Sequence, residues 1–423
     1  MEPLIKLDAR SRFNVTCHRG LAPALEKELE ELEVEIESSR DTGFTIQTTM
    51  REAYRLNLCL RTAFHVLYEL TTFACRDGEE LYERVYDLPW HRIVPAERGY
   101  LSVVSKVSTP TVTNTMYPNL KVKDAIVDRI TSELGIRPDS GPDNDGTVIT
   151  LHWFGETARL YADTSGRKLA DRGYRKQPHT APLRESLASA ILISAGYDGS
   201  QPLVNPMCGS GTLAIEAALI GSGRAPGLLR PDGFAFEHLI GFDEEAYKEI
   251  RAEVSETARK PAPIVVSDHD PEAVEAARHN AQTAGVSQHL EFEVCDFAKT
   301  RVPDPGEAGG LVVVNPEYGE RLSRGEEAAL GVTYKRFGDW LKQDCSGYQA
   351  WLLTSNKELI KQVGLRASRK RTFYNGQIEC KLLRYDMYRG SKKAKKQPGS
   401  EDEEAPAAEA AGGGGEAPAA DLS

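Results

Sequence analysis

The feature that most constrains this chain is a repeated phrase running from about residue 182 to 389. Short apolar runs alternate with helical stretches: Leu203-Val204, Ile264-Val265-Val266, Leu290 to Val294, Leu311 to Val314, then Ala350 to Thr354. Such alternation buries well as a parallel sheet covered by helices. The first four runs each lead into a glycine, acidic or amide residue. Open α/β sheets bind ligands just beyond the carboxyl ends of their strands. The polar residues at these ends are therefore the first candidates for a site.

After the first run comes Asn205-Pro206-Met207-Cys208-Gly209-Ser210-Gly211-Thr212. Gly209 and Gly211 allow a tight turn and close approach of a ligand to the backbone. The helix Leu213 to Leu219 follows. No Gly-Lys-Ser/Thr is present here, so a phosphate loop is excluded. An acidic residue ending the second strand could hold two ribose hydroxyls through charge-assisted hydrogen bonds. Asp243 and Asp268 both qualify, and either could simply cap a helix. Asp268, with Asp270 two residues on, ends the more apolar strand and precedes a helix that ends well at Gly285. Asp296, after the third strand, could accept a hydrogen bond from an adenine amino group.

Asn315-Pro316-Glu317-Tyr318 follows the fourth strand. The lone pair of a base amino group is delocalised into its ring, which makes the nitrogen a poor nucleophile. Two carbonyl acceptors, the Asn315 side chain and the Pro316 backbone, can draw that nitrogen toward tetrahedral geometry. The Tyr318 ring can stack on the base and align it. No general base is needed, and no His or Lys stands nearby.

The N-terminal third reads as α+β. A helix is expected over Ala22 to Ile36, a strand over Phe44 to Thr48 and a helix over Glu52 to Leu60. Beyond them come strands at Leu101 to Ser105, Thr147 to Leu151 and Arg159 to Asp163, with a helix from Lys121 to Leu134. The basic run Arg167, Lys168, Arg172, Arg175 and Lys176, with Tyr174 among it, is expected to steer RNA phosphates. A second run is Arg366, Arg369, Lys370 and Arg371.

Composition narrows the class. The chain has 423 residues, 40% hydrophobic and 27% charged, enough for two or three domains with a buried core. Its seven cysteines form no C-x-x-C pair, so neither a disulfide framework nor a metal site is expected, and the cytoplasm is the expected location. The net charge of −11 counts against indiscriminate nucleic-acid binding, although part of it is local to the tail from Glu401 onward. That tail is expected to be disordered beyond Ser391.

With these residues in view, the chain resembles bacterial THUMP-domain RNA methyltransferases of class I, most closely the 23S rRNA guanine-N2 methyltransferases of the large subunit. The likeness rests on Asp171-Arg172-Gly173-Tyr174-Arg175, on Ala181 to Ala188, and on Pro206 to Thr212. It continues through Phe236-Glu237-His238 with Phe242-Asp243-Glu244, Asn315 to Arg321 and Tyr374 to Cys380. It covers about Phe13 to Arg389. The resemblance implies a ferredoxin-like segment (1–61), a THUMP RNA-binding domain (62–166), a Rossmann-like class I methyltransferase domain (167–390) and a tail (391–423). It implies S-adenosylmethionine as cofactor, held by Asn205, Pro206, Cys208, Gly209, Gly211, Thr212, Asp268, Asp270 and Asp296, and demotes Asp243. It implies methylation of N2 of a guanine in 23S rRNA, with Asn315, Pro316 and Tyr318 catalytic; the base must leave its stack to reach Tyr318.

Two residues depart from the family pattern. Asn205 replaces the usual Asp, so one charged contact near the methionine end of the cofactor becomes neutral. Glu317 replaces a second Pro, while the Pro316 carbonyl survives. A tRNA guanine-N2 methyltransferase and a non-catalytic RNA-binding assembly factor are the alternatives. A DNA adenine methylase would leave the N-terminal region without a role, and an NAD-dependent dehydrogenase would leave Asn315 to Tyr318 unexplained.

Overall fold

The computed structural model describes residues 2–97, 99–112, 114, 116–177, 183–256, 259–317 and 324–389. The expected tail lies outside these residues, and so does Tyr318. The C-terminal half forms a seven-stranded sheet from β9 (Leu203–Pro206), β10 (Ile264–Asp268), β11 (Leu290–Val294), β12 (Gly310–Val314), β13 (Tyr348–Thr354), β14 (Arg369–Asn375) and β15 (Ile378–Asp386). The order is β11-β10-β9-β12-β13-β15-β14. The first five strands are parallel, and β15 runs antiparallel to β13 and β14. Strands β9, β10 and β12 are buried along their whole length, which explains why their sequences read as continuous apolar runs rather than alternating ones. Chain order reverses between β9 and β12, and that switch opens a crevice at the carboxyl ends of the strands.

The N-terminal half forms one mixed sheet of eight strands. These are β1 (Ser11–Cys17), β2 (Glu35–Arg40), β3 (Gly43–Thr48), β4 (Ala63–Ala74), β5 (Tyr100–Ser108), β6 (Asp139–Ser140), β7 (Thr147–Phe154) and β8 (Thr157–Asp163), ordered β2-β3-β1-β4-β8-β7-β5-β6. Strand β4 pairs with β1 on one side and β8 on the other, so one sheet joins the strands before and after residues 61 and 62. This 12-residue strand is absent from the sequence reading, because a bulge between Glu69 and Thr71 breaks its alternation.

Ten helices complete the fold: α1 (Ala22–Glu31), α2 (Met50–Cys59), α3 (Gly78–Tyr86), α4 (Met116–Leu134), α5 (Glu185–Ala195), α6 (Thr212–Gly221), α7 (Glu244–Ser255), α8 (Pro271–Thr283), α9 (Arg324–Asp344) and α10 (Lys357–Gln362) among the described residues. The helix expected to reach Ile36 stops at Glu31. Glu33 adopts a left-handed φ of 57°, and Glu35 to Arg40 become an edge strand. None of the described helices is long and apolar enough to cross a membrane.

The two halves are joined by buried aromatic and polar contacts. Tyr54 on α2 packs against Phe236 at 4.3 Å between ring centroids, with Phe242 and Tyr247 at 5.9 Å. The 236–247 segment therefore docks on the N-terminal half. Asp243, the rival ribose ligand, caps α7 by accepting from the Ala246 N–H.

The basic run before α5 corrects an expectation. Arg172 and Tyr174 are buried, not turned to RNA. The Arg172 guanidinium donates to the carbonyls of Leu169 and Arg61 and lies 3.6 Å from Glu216 of α6. The Glu216 carboxylate accepts from the hydroxyls of Tyr174 (3.1 Å) and Ser189 (2.5 Å). Arg175 is largely covered and bridges Glu185, Thr212 and the Leu183 carbonyl. Of the four residues expected to bind RNA, only Lys176 is exposed. A carboxylate at zero exposure requires a countercharge, and Arg172 supplies it to Glu216 of α6.

Candidate functional site

A cavity of about 530 Å³ opens at the carboxyl ends of β9 to β12, large enough for a nucleoside-sized ligand. Four strand ends contribute Cys208 to Ser210, Asp268, Asp296 and Asn315 to Glu317 to its wall. Most of these were foreseen from the sequence patterns, because each lies within four residues of its strand.

The glycine turn is tightly specified. Gly209 and Gly211 take φ of 54° and 82°, and even Met207 sits at 56°. A left-handed conformation costs a residue bearing a Cβ roughly 1–2 kcal/mol. Strain of this kind often marks a loop shaped for a ligand. The two glycines serve different ends. A Cβ on Gly211 would come within 2.7 Å of Ala277, so this glycine lets α6 pack on α8; a Cβ on Gly209 would meet open space.

Asp268 is positioned by that turn. One carboxylate oxygen accepts from the Gly209 N–H at 3.0 Å, and the other from the Asp270 N–H at 3.1 Å. The side chain is 10% exposed, at the cavity wall, where it can still accept hydroxyl protons. Asp270 also lines the cavity but spends one oxygen capping α8 through the Glu272 N–H. Replacing Asp268 by Asn should weaken S-adenosylhomocysteine binding about 10- to 150-fold, the loss of one charge-assisted bond of about 1.5–3 kcal/mol. Calorimetric titration tests this; an unchanged affinity would remove Asp268 from the cofactor set.

Asp296 accepts from Arg336 of α9, whose Nη2 is 2.9 Å from both carboxylate oxygens. Partial burial pushes its carboxyl pKa up, but the bonds from Arg336 and the Ala298 N–H outweigh this and hold it below the usual range. Any adenine amino group must share Asp296 with Arg336. The Cys208 thiol is raised by burial and by the nearby Asp268, so it stays neutral and acts as a wall, not a nucleophile.

Three expected cofactor residues lie off the cavity wall. Asn205 is buried, and its Nδ2 donates to the Val313 carbonyl at 2.8 Å, linking β9 to β12. Its side-chain oxygen has no partner among the described residues. The neutral residue at this position thus links the two central strands. Pro206 and Gly211 likewise shape the turn from behind; Thr212, at the start of α6, does line the cavity.

The sequence reading missed the α9 wall. Leu330 lies one turn before Thr333 and Tyr334 on that helix, and the three close the cavity beside Arg336. Tyr334 is buried, and its hydroxyl donates to the Glu317 backbone carbonyl at 3.2 Å while lying 3.1 Å from Thr354 Oγ1. It fixes the turn after Pro316, the position where the family pattern has a second proline. Tyr334→Phe should therefore slow turnover several-fold, since one hydrogen bond is worth about 0.5–1.5 kcal/mol, and leave cofactor affinity intact. Steady-state kinetics with calorimetry would check it, and an equal loss in both would refute it.

Comparison with known proteins agrees with this geometry. Residues 172–384 match the model of the RMKL-like methyltransferase domain, residues 12–67 the RlmL ferredoxin-like domain and residues 75–163 the THUMP domain. The ribosomal RNA large subunit methyltransferase K/L of Syntrophotalea carbinolica is 39% identical over 390 residues, covering 90% of this chain and 54% of that protein. The chain thus spans about half the length of that relative. A Synechocystis protein provisionally classed as an RNA methyltransferase is 33% identical, over 89% of this chain and 97% of its own length. Among solved structures, SMU.472, provisionally classed as a methyltransferase and complexed with SAH, superposes with a TM-score of 0.80 at 27% identity. That match covers 90% of this chain and 99% of SMU.472.

Proposed function

The chain belongs to the RMKL-like methyltransferase family, and from that premise we propose that it transfers a methyl group from S-adenosylmethionine to the exocyclic N2 of a guanine in large-subunit ribosomal RNA. The observation that carries the reading is that Asn315 and Pro316 share one cavity with Asp268 and the glycine turn. Such a cavity can hold a nucleoside cofactor and a target base side by side. The THUMP match and the names of the ribosomal RNA methyltransferase relatives support RNA as the partner.

When bound, the cofactor supplies an electrophilic methyl group. The residues of this chain then have three tasks. Asp268 accepts from ribose hydroxyls, and Asp296, shared with Arg336, accepts from the adenine amino group. Asn315 Oδ1 and the Pro316 carbonyl accept the two protons of the base amino group, so that its lone pair is freed from the ring and directed at the methyl carbon. Tyr318 is the proposed stacking platform. Once the methyl is attached, the excess proton leaves the cationic nitrogen for solvent; no side-chain base is assigned.

Nucleoside mapping by mass spectrometry, on 23S rRNA and tRNA from cells with and without the gene, tests the proposal. Loss of one N2-methylguanosine from 23S rRNA, restored by the intact gene but not by an Asn315→Ala copy, is expected. Loss from tRNA instead would transfer the substrate to tRNA. If neither RNA changed, the catalytic reading would fall.

A further inference from the structure

A second cavity, of about 350 Å³, lies at the far end of α5 from the methyl-transfer cavity. Its polar wall consists of Lys27 from α1, Ser194 near the end of α5, Trp351 from β13, and Arg369, Arg371 and Arg384 from the β14–β15 hairpin. Among the described residues, no acidic one lines it. The register explains the crowding. Trp351 stands opposite Arg384, and Arg384 opposite Arg369, so the three form a row across β13, β15 and β14. Arg371, two residues along, has the same strand parity as Arg369. Like charges directly opposite on neighbouring strands destabilise a sheet.

Two of the four cations are compensated. Arg384 is bonded to Asp386 at 2.7 Å, and Arg371 donates to Ser194 at 3.1 Å, beside the negative end of the α5 dipole. Lys27 has only a surface contact with Glu31 at 3.6 Å. Arg369 and Lys27 are both exposed at the rim, and the cavity keeps a surplus of positive charge. In a chain of net charge −11, a cleft with four cations and no carboxylate is a selective place for an anion. Planar arginine forks match tetrahedral oxyanions well.

We propose that this cleft binds a phosphate group and, building on the RNA reading above, that the group is a backbone phosphate of the substrate RNA. Leu183, just before the start of α5, lines the methyl-transfer cavity, and Ser194, near its end, lines this one. The 11 residues of α5 separate the two by about 16 Å. The contact carries no base information; it fixes how the RNA lies while its target base is presented at Asn315.

The test uses the full chain with Arg369→Gln and, separately, Lys27→Gln, both exposed positions at which the fold should survive. S-adenosylhomocysteine affinity serves as the check on folding. RNA binding is measured by fluorescence anisotropy with a 23S rRNA fragment over a range of salt concentrations, and inorganic phosphate binding by calorimetry. Each variant should bind RNA several-fold more weakly, with a salt slope reduced by about one. If inorganic phosphate binds and is lost in the variants while RNA affinity and slope stay at wild type, the cleft serves free phosphate and the RNA assignment is overturned. Wild-type behaviour of both variants in both arms would overturn the site altogether. Should the wild-type chain itself not bind RNA, the functional reading would fail, and the phosphate arm would still decide the cleft.

Discussion

Asn315→Ala is expected to lower the rate of methyl transfer about 10²- to 10³-fold, the cost typical of losing one polar contact that matters mainly in the transition state. The side chain lines the cavity at the end of β12, where the fully buried strand holds the backbone rigid. Its amide oxygen is one of the two acceptors proposed for the base amino group. Without it, the nitrogen keeps its lone pair in the ring at the moment the methyl must move. Binding of S-adenosylhomocysteine, which depends on Asp268 and the glycine turn, should not change. Single-turnover transfer of labelled methyl to RNA, beside calorimetric titration, separates the two. A variant that bound cofactor poorly and reacted normally once saturated would place Asn315 in the cofactor site and remove it from the chemistry.

The second large effect is on stability. Glu216→Ala removes the carboxylate that pairs with the fully buried Arg172 guanidinium, and strands the hydroxyls of Tyr174 and Ser189. Breaking a buried ion pair by removing one partner costs about 3–5 kcal/mol, because the remaining charge is left without compensation in a dry interior. The melting temperature should fall by several degrees. Lys176→Ala, on the exposed end of the same basic run, should leave it unchanged. If Glu216→Ala melted like the wild type and Arg172→Ala impaired only RNA binding, the buried role assigned to Arg172 would be wrong. The network ties Arg61, before β4, to α5 and α6, so its loss should also loosen the join between the two halves of the protein.

These two cases mark how far the sequence could be read. Asn315, Asp268 and the glycine turn were legible because each depends on short-range order: an apolar strand, its end, and the next two or three residues. A parallel sheet then brings strand ends together without further instruction. The α9 wall was not legible. Tyr334 and Arg336 lie on an ordinary amphipathic helix, and their partners, the Glu317 carbonyl and Asp296, become neighbours only when that helix packs.

Residue type and spacing thus determined the fold class, the four strand ends and the asparagine–proline turn. Tertiary structure decided which polar groups meet ligand and which meet one another. Arg172 and Tyr174 look like an RNA-facing pair until Glu216, in a helix some 40 residues further along, appears beside them at zero exposure. The Asn205 amide nitrogen, read from the sequence only as part of a cofactor turn, is found bonded to β12. In each case the deciding quantity is desolvation together with the partner that offsets it, and both are set by residues distant in the chain.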